Sequence, residues 1–145
     1  MYTSTHYFFE SAGLEFESLM VDVITKMSKR EWGAKSITFS TTKQDRFEGT
    51  DIFVLGVPMD ITLAFSKKNR MKKLGSMVFD GVTVEFGLRF GNAKANFKTP
   101  VLVIGVETAI GITKSNMYVV LDTIKENVLN IINDAMDAYL VATEA

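Results

Sequence analysis

Asp51 and Asp60 flank a glycine-centred turn in the stretch Gly49-Thr50-Asp51-Ile52-Phe53-Val54-Leu55-Gly56-Val57-Pro58-Met59-Asp60-Ile61-Thr62. Apolar, β-rich runs on both sides of Gly56 predict a hairpin. Side chains alternate along a strand, so a loop with an even number of residues puts Asp51, Asp60 and Thr62 on one face of the sheet. An odd loop separates the two aspartates. Two even loops suit the sequence. A two-residue type II′ loop at Gly56-Val57 pairs residue 55 with 58 and 51 with 62. A four-residue loop from Gly56 to Met59 pairs 55 with 60, and it spares Pro58, which has no N–H to close the shorter turn. Two neighbouring carboxylates repel, which raises the pKa of one of them or recruits a cation. Oxygen-only ligands favour Mg²⁺, Mn²⁺ or Ca²⁺ over zinc. Glu17 offers a third ligand, because it lies at the edge of a helical apolar stripe, about 90° from its centre; Glu15 lies on the far side of that stripe. The plain alternative is that Asp51 only opens a strand after Glu48-Gly49-Thr50 and that Asp60 pairs with a lysine.

The elements that must position these residues are written in the apolar periodicity. Phe16, Leu19, Met20, Val23, Ile24 and Met27 recur at three and four residues, predicting a helix from about Ser11 to Lys29 that Trp32-Gly33 ends. Short strands are predicted over Lys35–Thr41, Asp51–Leu55 and Met59–Phe65. Val82, Val84, Phe86, Leu88 and Phe90 alternate with Thr83, Glu85, Gly87 and Arg89, and Asp80-Gly81 just before them is a two-residue hairpin signal. The nearly all-apolar run Pro100–Val106 predicts a strand buried on both faces. A long helix from about Asn116 to Ala142 carries the stripe Val120, Leu121, Ile124, Val128, Ile131, Ile132, Ala135 and Tyr139, which packs on the sheet or forms a dimer seam. The fold expected is α/β or α+β: one domain over residues 1–145, with a mixed sheet of about five to six strands flanked by an N-terminal and a long C-terminal helix.

Composition narrows the chemistry. The 145 residues contain no cysteine and one histidine, His6, which excludes thiol catalysis, cysteine-ligated metals and a multi-histidine centre within one chain. His6 lies among Tyr2, Tyr7, Phe8 and Phe9, an aromatic cluster expected to pack on the sheet or on a partner. No apolar run reaches the length of a membrane span, and the first residues lack the basic and apolar regions of a signal peptide, so a cytoplasmic protein without membrane association is expected. The net charge of −1 conceals a balance of +6 within residues 67–98 and −7 elsewhere. A basic middle in an acidic chain suggests a patch for a polyanion, with a solvated loop as the alternative. Lys67, Lys68, Arg70, Lys72 and Lys73 form its densest run. That run follows the predicted strand of Asp60, well placed to hold a phosphate backbone without reading bases.

The succession of a helix bearing Glu17, Gly49-Thr50-Asp51 opening one strand, and Asp60-Ile61-Thr62 on the next resembles the PD-(D/E)xK nuclease superfamily, the restriction-endonuclease-like fold. The likeness covers most of the chain in order of elements, but its diagnostic part is a short, degenerate motif. It implies that Asp51 is the first metal-binding aspartate, that Asp60 stands at the (D/E) position, and that Glu17 is the helix carboxylate, together holding Mg²⁺ or Mn²⁺. The motif lysine, which orients the attacking water and offsets phosphate charge, is Thr62 here. Thr62 can hydrogen-bond a water without supplying charge, so Lys67, Lys68 or Lys43 would have to bring the cation from another element. An inserted hairpin also stands where the family has a helix after the third strand. The resemblance thus implies a nucleic-acid-binding protein with a nuclease-like fold, its partner expected to be DNA, either as a metal-dependent endonuclease or as an inactive binding or inhibitory module of a phage or mobile element. A structural subunit that assembles through the C-terminal helix, as a homodimer or with a protein partner, is the third reading.

Overall fold

The computed structural model describes residues 2–39, 51–63, 71–90 and 99–144, with side chains from residue 12 onward. Its elements are helix α1 (Tyr2–Trp32), strands β1 (Ile37–Phe39), β2 (Ile52–Val54), β3 (Val57–Leu63), β4 (Met71–Phe79), β5 (Val82–Arg89) and β6 (Val101–Thr108), and helix α2 (Met117–Thr143). The six strands form one mixed sheet in the order β1-β2-β3-β6-β5-β4. β3 and β6 run parallel, and every other neighbouring pair is antiparallel. The class is α+β, a mixed sheet with one N-terminal and one C-terminal helix. No helix among the described residues is long and apolar enough to cross a membrane.

Both helices cover the same face of the sheet. Ala12, Phe16, Met20 and Ile24 of α1 pack in one core with Ile52, Val54, Met59 and Ile61. The α2 stripe from Val120 to Tyr139 is buried as its spacing predicts, against Val82, Val84, Phe86 and Leu88 of β5 and Leu102, Ile104 and Val106 of β6. Val101 and Val103 are also fully buried, yet they stand outside that core. Alternation puts them on the opposite face, with Asp60, Thr62, Thr83, Glu85, Gly87 and Arg89. β6 is therefore buried on both sides, as its unbroken apolar run requires.

Three expectations shift in detail. α1 starts well before Ser11, although the side chains of the aromatic N-terminus lie outside the described residues. The basic run is not wholly a connection, because Met71, Lys72 and Lys73 already belong to β4. β4 is an edge strand, and its exposed lysines and the bulge between Lys73 and Gly75 are features that discourage pairing with another chain. The β2–β3 loop falls one residue earlier than expected, at Leu55-Gly56, with Val54 opposite Val57. Both loop residues have positive φ, +50° at Leu55 and +82° at Gly56, the pattern of a type I′ turn. The shift also removes the objection raised by Pro58. The closing pair Val54–Val57 is hydrogen-bonded in such a hairpin, so the next pair, Phe53–Pro58, needs no proline N–H.

Candidate functional site at the end of β3

The loop has two residues, so the even parity expected of the hairpin holds as far as Ile52. The register that pairs Ile52 with Met59 would next place Asp51 opposite Asp60. The ladder breaks there instead. Asp51 N–H donates to the Met59 carbonyl at 2.9 Å, beside the position that Ile52 occupies in the ladder. The Asp51 side chain then takes over the role of the missing strand, and its Oδ2 accepts the Ile61 N–H at 2.8 Å. Alternate N–H groups of a strand point to the same edge. The Ile61 and Leu63 donors therefore face the side that β2 has vacated.

Glu17 meets the second of these donors. Its Oε1 accepts the Leu63 N–H at 3.2 Å. Helix α1 comes close at this point because Gly13, one turn before Glu17, has no Cβ; one built there would lie 3.2 Å from Leu63 Cδ1. Glu17 is half-buried and Glu15 is exposed. Asp51 and Glu17 thus serve consecutive edge donors of β3, about 7 Å apart along the strand.

Asp60 turns to the face that carries no described helix, where its Oδ2 accepts a hydrogen bond from Arg89 Nη2. Asp60 is level with Val103, and Arg89 with Val101, so the ion pair crosses β6 above those two buried valines. It spans two strand spacings, about 10 Å. Side-chain exposure is 13% for Asp60 and 20% for Arg89. The Arg89 Nε is buried without a hydrogen-bond partner. Thr62 is 6% exposed, and its hydroxyl donates to the Leu63 carbonyl at 2.8 Å.

Thus Glu17, Asp51, Asp60 and Thr62 all lie along β3 from Asp60 to Leu63, but Asp60 faces away from α1 and each of the four is hydrogen-bonded to the protein's own groups. Among the described residues no three His, Cys, Asp or Glu side chains form a group arranged to hold a metal ion. The conflict lies in the donor set: Asp51 and Glu17 spend an oxygen each on backbone N–H groups, and Asp60 faces a guanidinium. Lys72 and Lys73 lie apart from this site. Lys73 shares a lateral row with Gly87, Val103 and Asp60, which places it three strand spacings, about 14 Å, from Asp60. Lys73 pairs with Glu85 at 3.1 Å. Lys67, Lys68, Arg70 and Lys43 lie outside the described residues.

No family model, curated protein or solved structure matches this chain.

Arg89 is the site residue that the sequence reading left unassigned. Its face was legible from the alternation with Val82, Val84, Phe86 and Leu88. Its nearness to Asp60 was not, because that depends on β6 lying between β3 and β5.

Proposed function

We propose that this chain is a nucleic-acid-binding protein on a nuclease-like, restriction-endonuclease-like scaffold, and that it binds DNA without cleaving it. The carrying observation is Arg89 at Asp60: the acidic position of the motif is neutralised from within, while Thr62 supplies no replacement charge. Further support comes from the order of elements. A helix with Glu17 precedes the antiparallel β1-β2-β3 meander, and β6 lies parallel beside β3, with β4–β5 as the inserted hairpin. The basic run from Lys67 to Lys73 supplies the phosphate-binding charge.

Fluorescence anisotropy with short duplex and single-stranded DNA tests binding. If Lys67, Lys68, Arg70, Lys72 and Lys73 all meet phosphates, affinity falls about 500-fold between about 50 and 200 mM salt. A nicking assay on plasmid and branched DNA with Mg²⁺ or Mn²⁺ tests cleavage, and no product is expected. Absence of binding at low salt, together with a stable oligomer on gel filtration, overturns the proposal in favour of a structural subunit.

The second reading is a divalent-metal-dependent endonuclease using Glu17, Asp51 and Asp60. The presence of all three along β3 between Asp60 and Leu63 favours it. It requires Asp60 to be released from Arg89. Cutting by the wild type but not by Asp60→Asn establishes it.

A further inference from the structure

We propose that Arg89 is an exchangeable phosphate ligand: its guanidinium rests on Asp60 in the free protein and moves to a phosphate of bound nucleic acid. This rests on the nucleic-acid-binding reading and names a residue outside the basic run.

The geometry of the pair is the argument. A guanidinium presents five N–H donors in a planar fork that matches carboxylate and phosphate oxygens two at a time. Asp60 engages Nη2, while Nε is buried and unpaired. A structural staple between these side chains would satisfy Nε as well, because an unpaired buried donor on a charged group is costly. The resting arrangement is therefore an imperfect one, and a side-chain rotation that carries Nε to a new acceptor recovers what is lost. Arg89 is the last residue of β5, so its side chain stands at the end of the strand on the face without a described helix. The competing acceptor must be an oxyanion with two oxygens in reach. The phosphodiester of a nucleic acid has that chemistry.

Exchange makes Asp60 an internal competitor for the phosphate. Replacing it with a neutral isostere should raise nucleic-acid affinity, and the gain should need Arg89. A double-mutant cycle measures this. Wild type, Asp60→Asn, Arg89→Gln and Asp60→Asn/Arg89→Gln are titrated against one fluorescent oligonucleotide by anisotropy at a fixed low salt concentration. Melting curves check that each variant is folded. Expected are a gain of about tenfold for Asp60→Asn, a loss of about tenfold for Arg89→Gln, and for the double variant an affinity close to that of Arg89→Gln alone. If Asp60→Asn raises affinity by the same factor with and without Arg89, the effect is general charge and the exchange is refuted. If Arg89→Gln binds as tightly as wild type, Arg89 does not touch the nucleic acid and the proposal also fails. Should Arg89→Gln not fold, Arg89→Lys takes its place, keeping the charge while losing the fork, and the same coupling decides. If the wild type binds no oligonucleotide, the parent reading fails. Binding without coupling defeats the exchange alone.

Discussion

Asp51 separates two accounts of the acidic site, because they assign opposite signs to its charge. If its carboxylate completes the edge of β3, removing it strips the Ile61 N–H of its 2.8 Å acceptor. Hydrogen bonds to charged groups contribute about 1.5–3 kcal/mol, so Asp51→Ala should lose about 2 kcal/mol of folding stability. For a chain of 145 residues that lowers Tm by about 4–8 °C. Asp51→Asn keeps a neutral carbonyl acceptor in nearly the same place. A neutral bond is worth about half a charged one, which leaves a loss of about 1 kcal/mol. If instead Asp51 and Asp60 are held together for a cation, their repulsion burdens the metal-free fold, and Asp51→Asn should stabilise it. The measurement is urea unfolding in EDTA at neutral pH, reading the midpoint shift at an unchanged slope. An Asp51→Asn variant at least as stable as wild type refutes the edge-completing role.

Glu17→Gln should behave in the same direction but cost less, about 0.5–1 kcal/mol by the same unfolding assay, since its bond to Leu63 is longer at 3.2 Å. Tyr139 is 4% exposed, and its hydroxyl donates to the Pro100 carbonyl at 2.9 Å; Tyr139→Phe should lose about 1 kcal/mol in denaturant titrations. Burial also raises the Tyr139 pKa, so the folded chain keeps its proton after the unfolded chain has begun to lose it. The stabilisation is complete below about pH 10 and is lost as pH rises above it, and Tyr139→Phe should flatten that alkaline decline in a pH series of melting curves. Leu55→Asn should gain about 0.5–1 kcal/mol in thermal melts, because leucine tolerates the φ of +50° poorly and Asn-Gly suits a type I′ turn.

Local signals in the chain were sufficient where one strand or one turn decides the outcome. Asp80-Gly81 forms its two-residue turn with φ of +47° and +80°, and the alternation from Val82 to Leu88 puts those apolar residues under α2. The Val101–Val106 run is buried throughout. Local signals misled where a residue is asked to do something unlike its type. Leu55 occupies a left-handed turn position that composition assigns to glycine or asparagine, which moved the loop by one residue. Lys72 and Lys73 look like loop residues, but on an edge strand charge is compatible with β structure.

The acidic site shows the same division at a finer scale. The even loop was legible from parity, which survives a one-residue error in its placement, but Asp51 lies outside the ladder and turns its carboxylate to the strand edge rather than to the face of Asp60. What those carboxylates bind does not follow from parity. Asp51 and Glu17 act where a ladder runs out of strand, a fact created by β2 beginning only at Ile52 and by α1 approaching at Gly13. Asp60 meets Arg89 only because β6 joins β3 in parallel and β5 from its other side, pairings between segments about forty and about twenty residues apart in sequence. A motif reading counts carboxylates, whereas the folded site is defined by the donors already facing them. With two backbone N–H groups and a guanidinium in those places, the site's charge is largely spoken for, and the proposed DNA binding by Arg89 turns on whether a phosphate can draw it from Asp60.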